Sequence, residues 1–175
     1  FNDERLVEVR PTRNPKRVMG WLGDLAHMNN ALSVAPGHSS NPAALADALR
    51  TLERTIGHDY LVVLISDFFG WNEATLAAIR RIGRHNDIIC SLVFDPLERD
   101  ISSAEKLVVS DGRYQLEIDP VNQGLGEKFE ASFESSMARV QAELRRHQVP
   151  VLPIDTVTPS VEQLREKLGG ERPPR

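Results

Sequence analysis

Tyr60-Leu-Val-Val-Leu-Ile65, followed by Ser66 and Asp67, decides the fold of this chain. The run is continuously apolar rather than alternating, and it is rich in β-branched residues. A strand of this kind is expected to be buried on both faces, as in a parallel sheet covered by helices. Asp87-Ile-Ile-Cys-Ser-Leu-Val-Phe94 repeats the pattern, and Val149 to Ile154 gives a third strand. Between the first two, Asn72 caps a helix with Leu76, Ile79 and Ile82 inward and Arg80, Arg81 and Arg84 outward. Between the second and third, about Gly126 to His147, a longer helix carries Phe129, Phe133, Met137, Val140 and Leu144 on one stripe. Buried strands alternating with helices specify an α/β, doubly wound domain. Tyr60–Ser66 and Asp87–Phe94 are expected as its adjacent central strands.

The flanks follow from the same periodicities. Leu6, Val7 and Val9 alternate loosely with Glu8 and Arg10 and stop at Pro11, which predicts a short strand at an edge. Asn14-Pro15 opens a helix whose stripe is Val18, Leu22 and Leu25. Asn29 to Asn41 has loop composition, and Pro42 begins a helix with Leu45, Leu49, Leu52 and Ile56 on one face. Lys106–Ser110 and Tyr114–Asp119 flank Asp111-Gly112, a hairpin signature. Pro159 starts a closing helix with Val161, Leu164 and Leu168 inward, and residues 170–175 are expected to form a frayed tail.

Composition narrows the function. The chain has 175 residues, 41% hydrophobic and 26% charged, enough for one ordinary core. Its formal charge of −4 argues against gripping nucleic-acid phosphates, which requires a basic face. The single cysteine, Cys90, can form neither an intrachain disulfide nor a multi-cysteine zinc site. Nothing therefore demands an oxidising compartment, which suits a cytoplasmic setting, and no apolar run is long enough to span a bilayer. The opening Phe1-Asn2-Asp3 has the look of a strand end, so an N-terminal piece is expected to be missing.

Chemistry concentrates where strands end. Asp67, Asp95 and Asp155 each close a predicted strand, and in a parallel sheet those ends share the edge where open α/β sheets bind ligands. Carboxylates with hydroxyls nearby (Ser66, Ser39, Ser40) are hard oxygen donors suited to Mg2+ or Ca2+. An aspartate at a strand end equally well makes a turn or caps the next helix. Phe68, Phe69 and Trp71 crowd the loop after Asp67, and exposed rings there suit partner binding. Of the three, Trp71 is the expected exposed anchor. No Walker loop, dinucleotide glycine pattern, nucleophile elbow or His-x-x-x-His pair occurs.

Leu61-Val-Val-Leu-Ile-Ser-Asp-Phe68, together with His85-Asn-Asp87 and Asp95-Pro-Leu-Glu98, resembles a bacterial von Willebrand factor A-like family. It is known as domain of unknown function 58 and is commonly encoded beside MoxR-type AAA+ ATPases. The opening Phe-Asn-Asp, Val109-Ser-Asp-Gly112 and Gln163-Leu-Arg165 also fit, so the likeness runs over about residues 1–169. It implies a single Rossmann-like von Willebrand A-type domain, with 170–175 as a flexible tail. In better-known members a metal-ion-dependent adhesion site uses an Asp-x-Ser-x-Ser loop, a Thr and a further Asp. Asp67 matches that last Asp, and Ser39 and Ser40 stand where the Thr loop belongs. The Asp-x-Ser-x-Ser loop is absent, and Asp100-Ile-Ser-Ser103 is a near match out of place. The resemblance thus implies an incomplete site, with Mg2+ held only in a longer protein and no cofactor in this stretch. Asp95, Glu98 and Asp155 form a secondary acidic edge.

The expected role is a non-enzymatic protein-interaction module serving a MoxR-type ATPase in chaperone-like maturation of complexes. Two alternatives stand beside it. One is a metal-dependent phosphoryl hydrolase on the carboxylate edge, which needs a nucleophile and a paired acid or base. The other is a scaffold whose metal site has decayed.

Overall fold

The computed structural model describes residues 1–31, 40–99, 107–110, 115–118 and 125–169. In chain order these form α1 (Pro15–Asn30), α2 (Ala44–Thr55), β1 (Leu61–Ser66), α3 (Glu73–Ile82), β2 (Asp87–Phe94), α4 (Pro96–Arg99), β3 (Leu107–Ser110), β4 (Gln115–Ile118), α5 (Leu125–Arg146), β5 (Val151–Asp155) and α6 (Ser160–Leu168). Strands β1, β2 and β5 make a parallel three-stranded sheet in the order β1-β2-β5. Strands β3 and β4 pair antiparallel, as the hairpin pattern predicts. Ser39, the Asp111-Gly112 turn, the Asp100-Ile-Ser-Ser103 stretch, the Phe129 side chain and the 170–175 tail lie outside the described residues.

The register explains the core. Leu64 lies beside Cys90, and Cys90 beside Val151. Neighbours in register project to the same face of a pleated sheet. That face carries Leu64, Ile88, Cys90 and Leu92 into one cluster with Leu76, Ile79 and Ile82 of α3, Val140 and Leu144 of α5, and Leu45 and Leu49 of α2. Asn72 caps α3 as expected, its Oδ1 accepting from Thr75 N at 3.1 Å. Arg81 of α3 donates through Nε and a terminal nitrogen to the Glu53 carboxylate of α2, at 2.6 and 3.0 Å. That bond holds the Glu53 carboxyl below its ordinary range. At the far side of the sheet, Gln163 of α6 is buried. Its Oε1 accepts from Asp155 N at 2.9 Å, and its Nε2 donates to Asp155 O at 3.0 Å and Thr158 O at 2.8 Å.

Four expectations are corrected. Strands β1 and β2 are adjacent and parallel, but β1 stands at the edge of the described sheet, and only β2 is flanked on both sides. Its second face is open: Leu61, Val63 and Ile65 are 55–65% exposed. An unbroken apolar run states what a strand is able to bury, and it carries no information on whether a second layer lies over it. The segment around Leu6, Val7 and Val9 forms no strand and these residues are exposed; among the described residues no strand adjoins the segment to take up its backbone hydrogen bonds. Helix α1 starts where expected, with Asn14 Oδ1 accepting from Lys16 N at 3.0 Å, but its stripe of Val18, Leu22 and Leu25 is exposed. The α6 stripe of Val161, Leu164 and Leu168 is exposed as well.

Candidate functional site

Strand β1 delivers Asp67 to the carboxyl edge, and the next four residues make a tightly tied loop. Ser66 Oγ accepts from Phe68 N at 3.0 Å, and Asp67 Oδ1 accepts from Phe69 N at 3.0 Å. Phe68 takes a left-handed backbone, φ 57°, uncommon for a bulky residue and held here by its burial. Gly70 follows at φ 73°, pressed on Pro42: a Cβ at this position would lie 2.1 Å from Pro42 O. Only glycine fits such an approach. The contact seats Pro42, two residues past Ser40 and two before α2, against the loop that carries Asp67.

The rings of this loop divide between core and surface. Phe68 is 3% exposed and Trp71 8%; they meet edge to face with centroids 5.7 Å apart. The Trp71 indole donates to Glu143 Oε2 at 2.7 Å, and Arg139 donates to Trp71 O at 2.9 Å, so α5 holds the loop from its other side. The expectation of Trp71 as an exposed anchor is thereby corrected: an indole with a buried ring and a carboxylate acceptor is satisfied inside. Phe69, 54% exposed, is the ring that faces outward.

Strand β2 ends at Phe94, and Asp95 starts the single turn of α4, its Oδ1 accepting from Leu97 N at 2.9 Å. This turn brings Glu98 beside Asp67. Partial burial first, then the charges of Asp67 and Asp95, push the Glu98 carboxyl above its ordinary range. Across from these groups α5 supplies Ser132, Phe133, Ser136, Met137 and Arg139. The loop, Glu98 and α5 enclose an open groove of about 630 Å3, floored by Phe68, Leu92 and Val140. Ser132, Ser136 and Arg139 were not singled out from the sequence. They repeat at four and three, one position before the Phe133, Met137 and Val140 stripe, and that polar register was the available signal.

All three strand-ending aspartates bond an N–H two residues on, Asp155 to Val157 N at 3.0 Å and also to Thr158 N at 2.6 Å. These bonds hold the Asp155 carboxyl below its ordinary range, the Thr158 amide foremost. Asp155 does not line the groove. The turn role weighed for these residues is therefore present at each, and only Asp67 and Glu98 face the cavity. Among the described residues no three His, Cys, Asp or Glu side chains converge on a cation. Of the residues that the resemblance assigns to a metal, Asp67 and exposed Ser40 are described, and they supply one carboxylate and one hydroxyl. Cys90 is fully buried, and desolvation pushes its thiol up to about 12. No helix among the described residues is long and apolar enough to cross a membrane. No family model, curated protein or solved structure matches this chain.

Proposed function

We propose that this chain is a protein-interaction module of von Willebrand A type, serving a MoxR-type AAA+ ATPase in chaperone-like maturation of complexes. The observation that supports the interaction reading is the groove at the carboxyl edge, with the exposed Phe69 ring at its rim and carboxylates beside it. Aromatic anchors in partly apolar clefts dominate the energetics of protein interfaces. The ATPase as partner rests on the likeness in Ser66-Asp-Phe68 and Asp95-Pro-Leu-Glu98. No step is assigned to a metal, and the reading needs none.

The test is association with the cognate ATPase, measured by calorimetry on Phe69→Ala and Phe133→Ala variants. Weakening by about tenfold or more with melting within ~1 kcal/mol of the parent supports the reading. Parent-like affinity in both variants overturns it.

A further inference from the structure

The geometry points to the kind of partner segment this groove takes: a basic side chain, Arg or Lys, flanked by apolar residues. The inference rests on the interaction reading above and adds its chemistry. The floor of Phe68, Leu92 and Val140 is apolar, and with Phe133 and Met137 on the α5 side it suits the aliphatic part of a peptide. The walls decide the charge. Arg139 is committed, donating to Trp71 O and facing Glu143 at 3.9 Å. Arg99, next in the chain to Glu98, faces Glu134 at 3.7 Å. Among the described residues what remains is carboxylate: Asp67 and Glu98 on the lining, with Asp95 close enough for its charge to act on Glu98.

A partner carboxylate entering this groove meets like charge, whereas a guanidinium or ammonium neutralises it. Complementary potential chooses between partners of similar shape more strongly than it adds raw affinity. The turn bonds support the assignment further, because they use Oδ1 of Asp67 and Asp95 on backbone amides and so fix both carboxylates in place before a partner arrives. Glu98 is the third member: it lines the groove with Asp67, and its N–H donates to Asp95 O at 2.9 Å, which sets the two side chains on one turn.

Three capped peptides test the proposal: acetyl-Leu-Arg-Leu-amide, its neutral isostere with citrulline for Arg, and its acidic counterpart with Glu. Each is titrated into the labelled chain by NMR, reading the backbone amides of Phe69, Ser132 and Ser136 and the Trp71 indole N–H. The Arg peptide is expected to bind about tenfold or more tightly than the citrulline peptide at low salt, with the gap narrowing as salt rises. In the triple variant Asp67→Asn, Asp95→Asn, Glu98→Gln, whose amides retain the turn acceptors, that gap is expected to vanish. Equal binding of the Arg and citrulline peptides, or tighter binding of the Glu peptide, overturns the basic preference and leaves the interaction reading standing. If no peptide moves the groove resonances, the interaction reading of this groove falls with it.

Discussion

Trp71 Nε1 lies 2.7 Å from Glu143 Oε2, and through that bond the loop after β1 is fastened to α5. A buried indole with a charged acceptor is a packing residue and an anchor of the site at once. Trp71→Phe keeps most of the ring contacts but removes the indole donor from the half-buried Glu143 carboxylate. It is expected to cost about 1–3 kcal/mol, and Trp71→Ala about 3–5 kcal/mol. Urea denaturation measures both, and an alanine variant within ~1 kcal/mol of the parent would show the ring to be dispensable.

Gly70→Ala places a methyl group against the Pro42 carbonyl at a backbone angle of 73°. The combined strain and clash are expected to cost more than about 2 kcal/mol and to loosen the loop that holds Asp67. Thermal melting gives the first number, and the amide exchange rate of Phe69 gives the second.

The two faces of β1 differ sharply, and adjacent substitutions read the difference. Leu64 is 9% exposed and packs into the core, whereas Ile65 is 65% exposed. Leu64→Asp is expected to cost about 3–5 kcal/mol, and Ile65→Asp at most about 0.5 kcal/mol. Equal losses at both positions in chemical denaturation would mean that the second face is covered in solution.

Acidic pH should move two carboxylates in opposite directions. The folded Glu98 carboxyl stands above its ordinary 4.5, so its ionised form subtracts stability at neutral pH, and that penalty fades as pH falls through the raised folded value. Glu98→Gln is thus expected to be more stable than the parent at pH 7 and to lose the advantage by about pH 4. Asp155 stands below its ordinary 3.8, so it contributes stability above 3.8 that disappears as pH falls through the depressed folded value. The deficit of Asp155→Asn should accordingly close only in stronger acid. Denaturation midpoints taken across pH 2–8 check both signs, and pH-independent differences contradict them.

Cys90 has no exposed surface, and its thiol is pushed up to about 12. A thiolate is the reactive species, so an aromatic disulfide reagent at pH 8 should label the native chain only as fast as it unfolds. Labelling should accelerate with urea in step with global unfolding. Fast labelling in the absence of denaturant would place Cys90 outside the core.

The α/β plan was legible because its evidence is local. The runs of β1 and β2, the Asn72 cap and the alternation in β3 and β4 each act over a few residues. The carboxyl-edge position of Asp67 followed directly from the parallel arrangement. What escaped was relational. Trp71 resembles an exposed anchor until Glu143, 72 residues on, supplies an acceptor for its indole. The bare side of β1 and the uncovered stripe of α1 escaped for the same reason, since apolar side chains record a capacity for burial and not its fulfilment. The one-turn helix that presents Glu98 is too short for any periodicity to register.

Gln163 imposes a direction on the sheet. Its side-chain amide offers Asp155 one acceptor and one donor, the same pair that the main chain of an adjoining strand would offer. At its carboxyl end β5 is therefore saturated by a counterfeit neighbour one residue wide, and a further strand has no hydrogen-bonding vacancy to occupy there. Exposed strand edges invite association with other chains, and a side chain that impersonates backbone withdraws the invitation. Replacing Gln163 with Leu would keep the bulk and reopen that vacancy, converting a finished margin into a growing one.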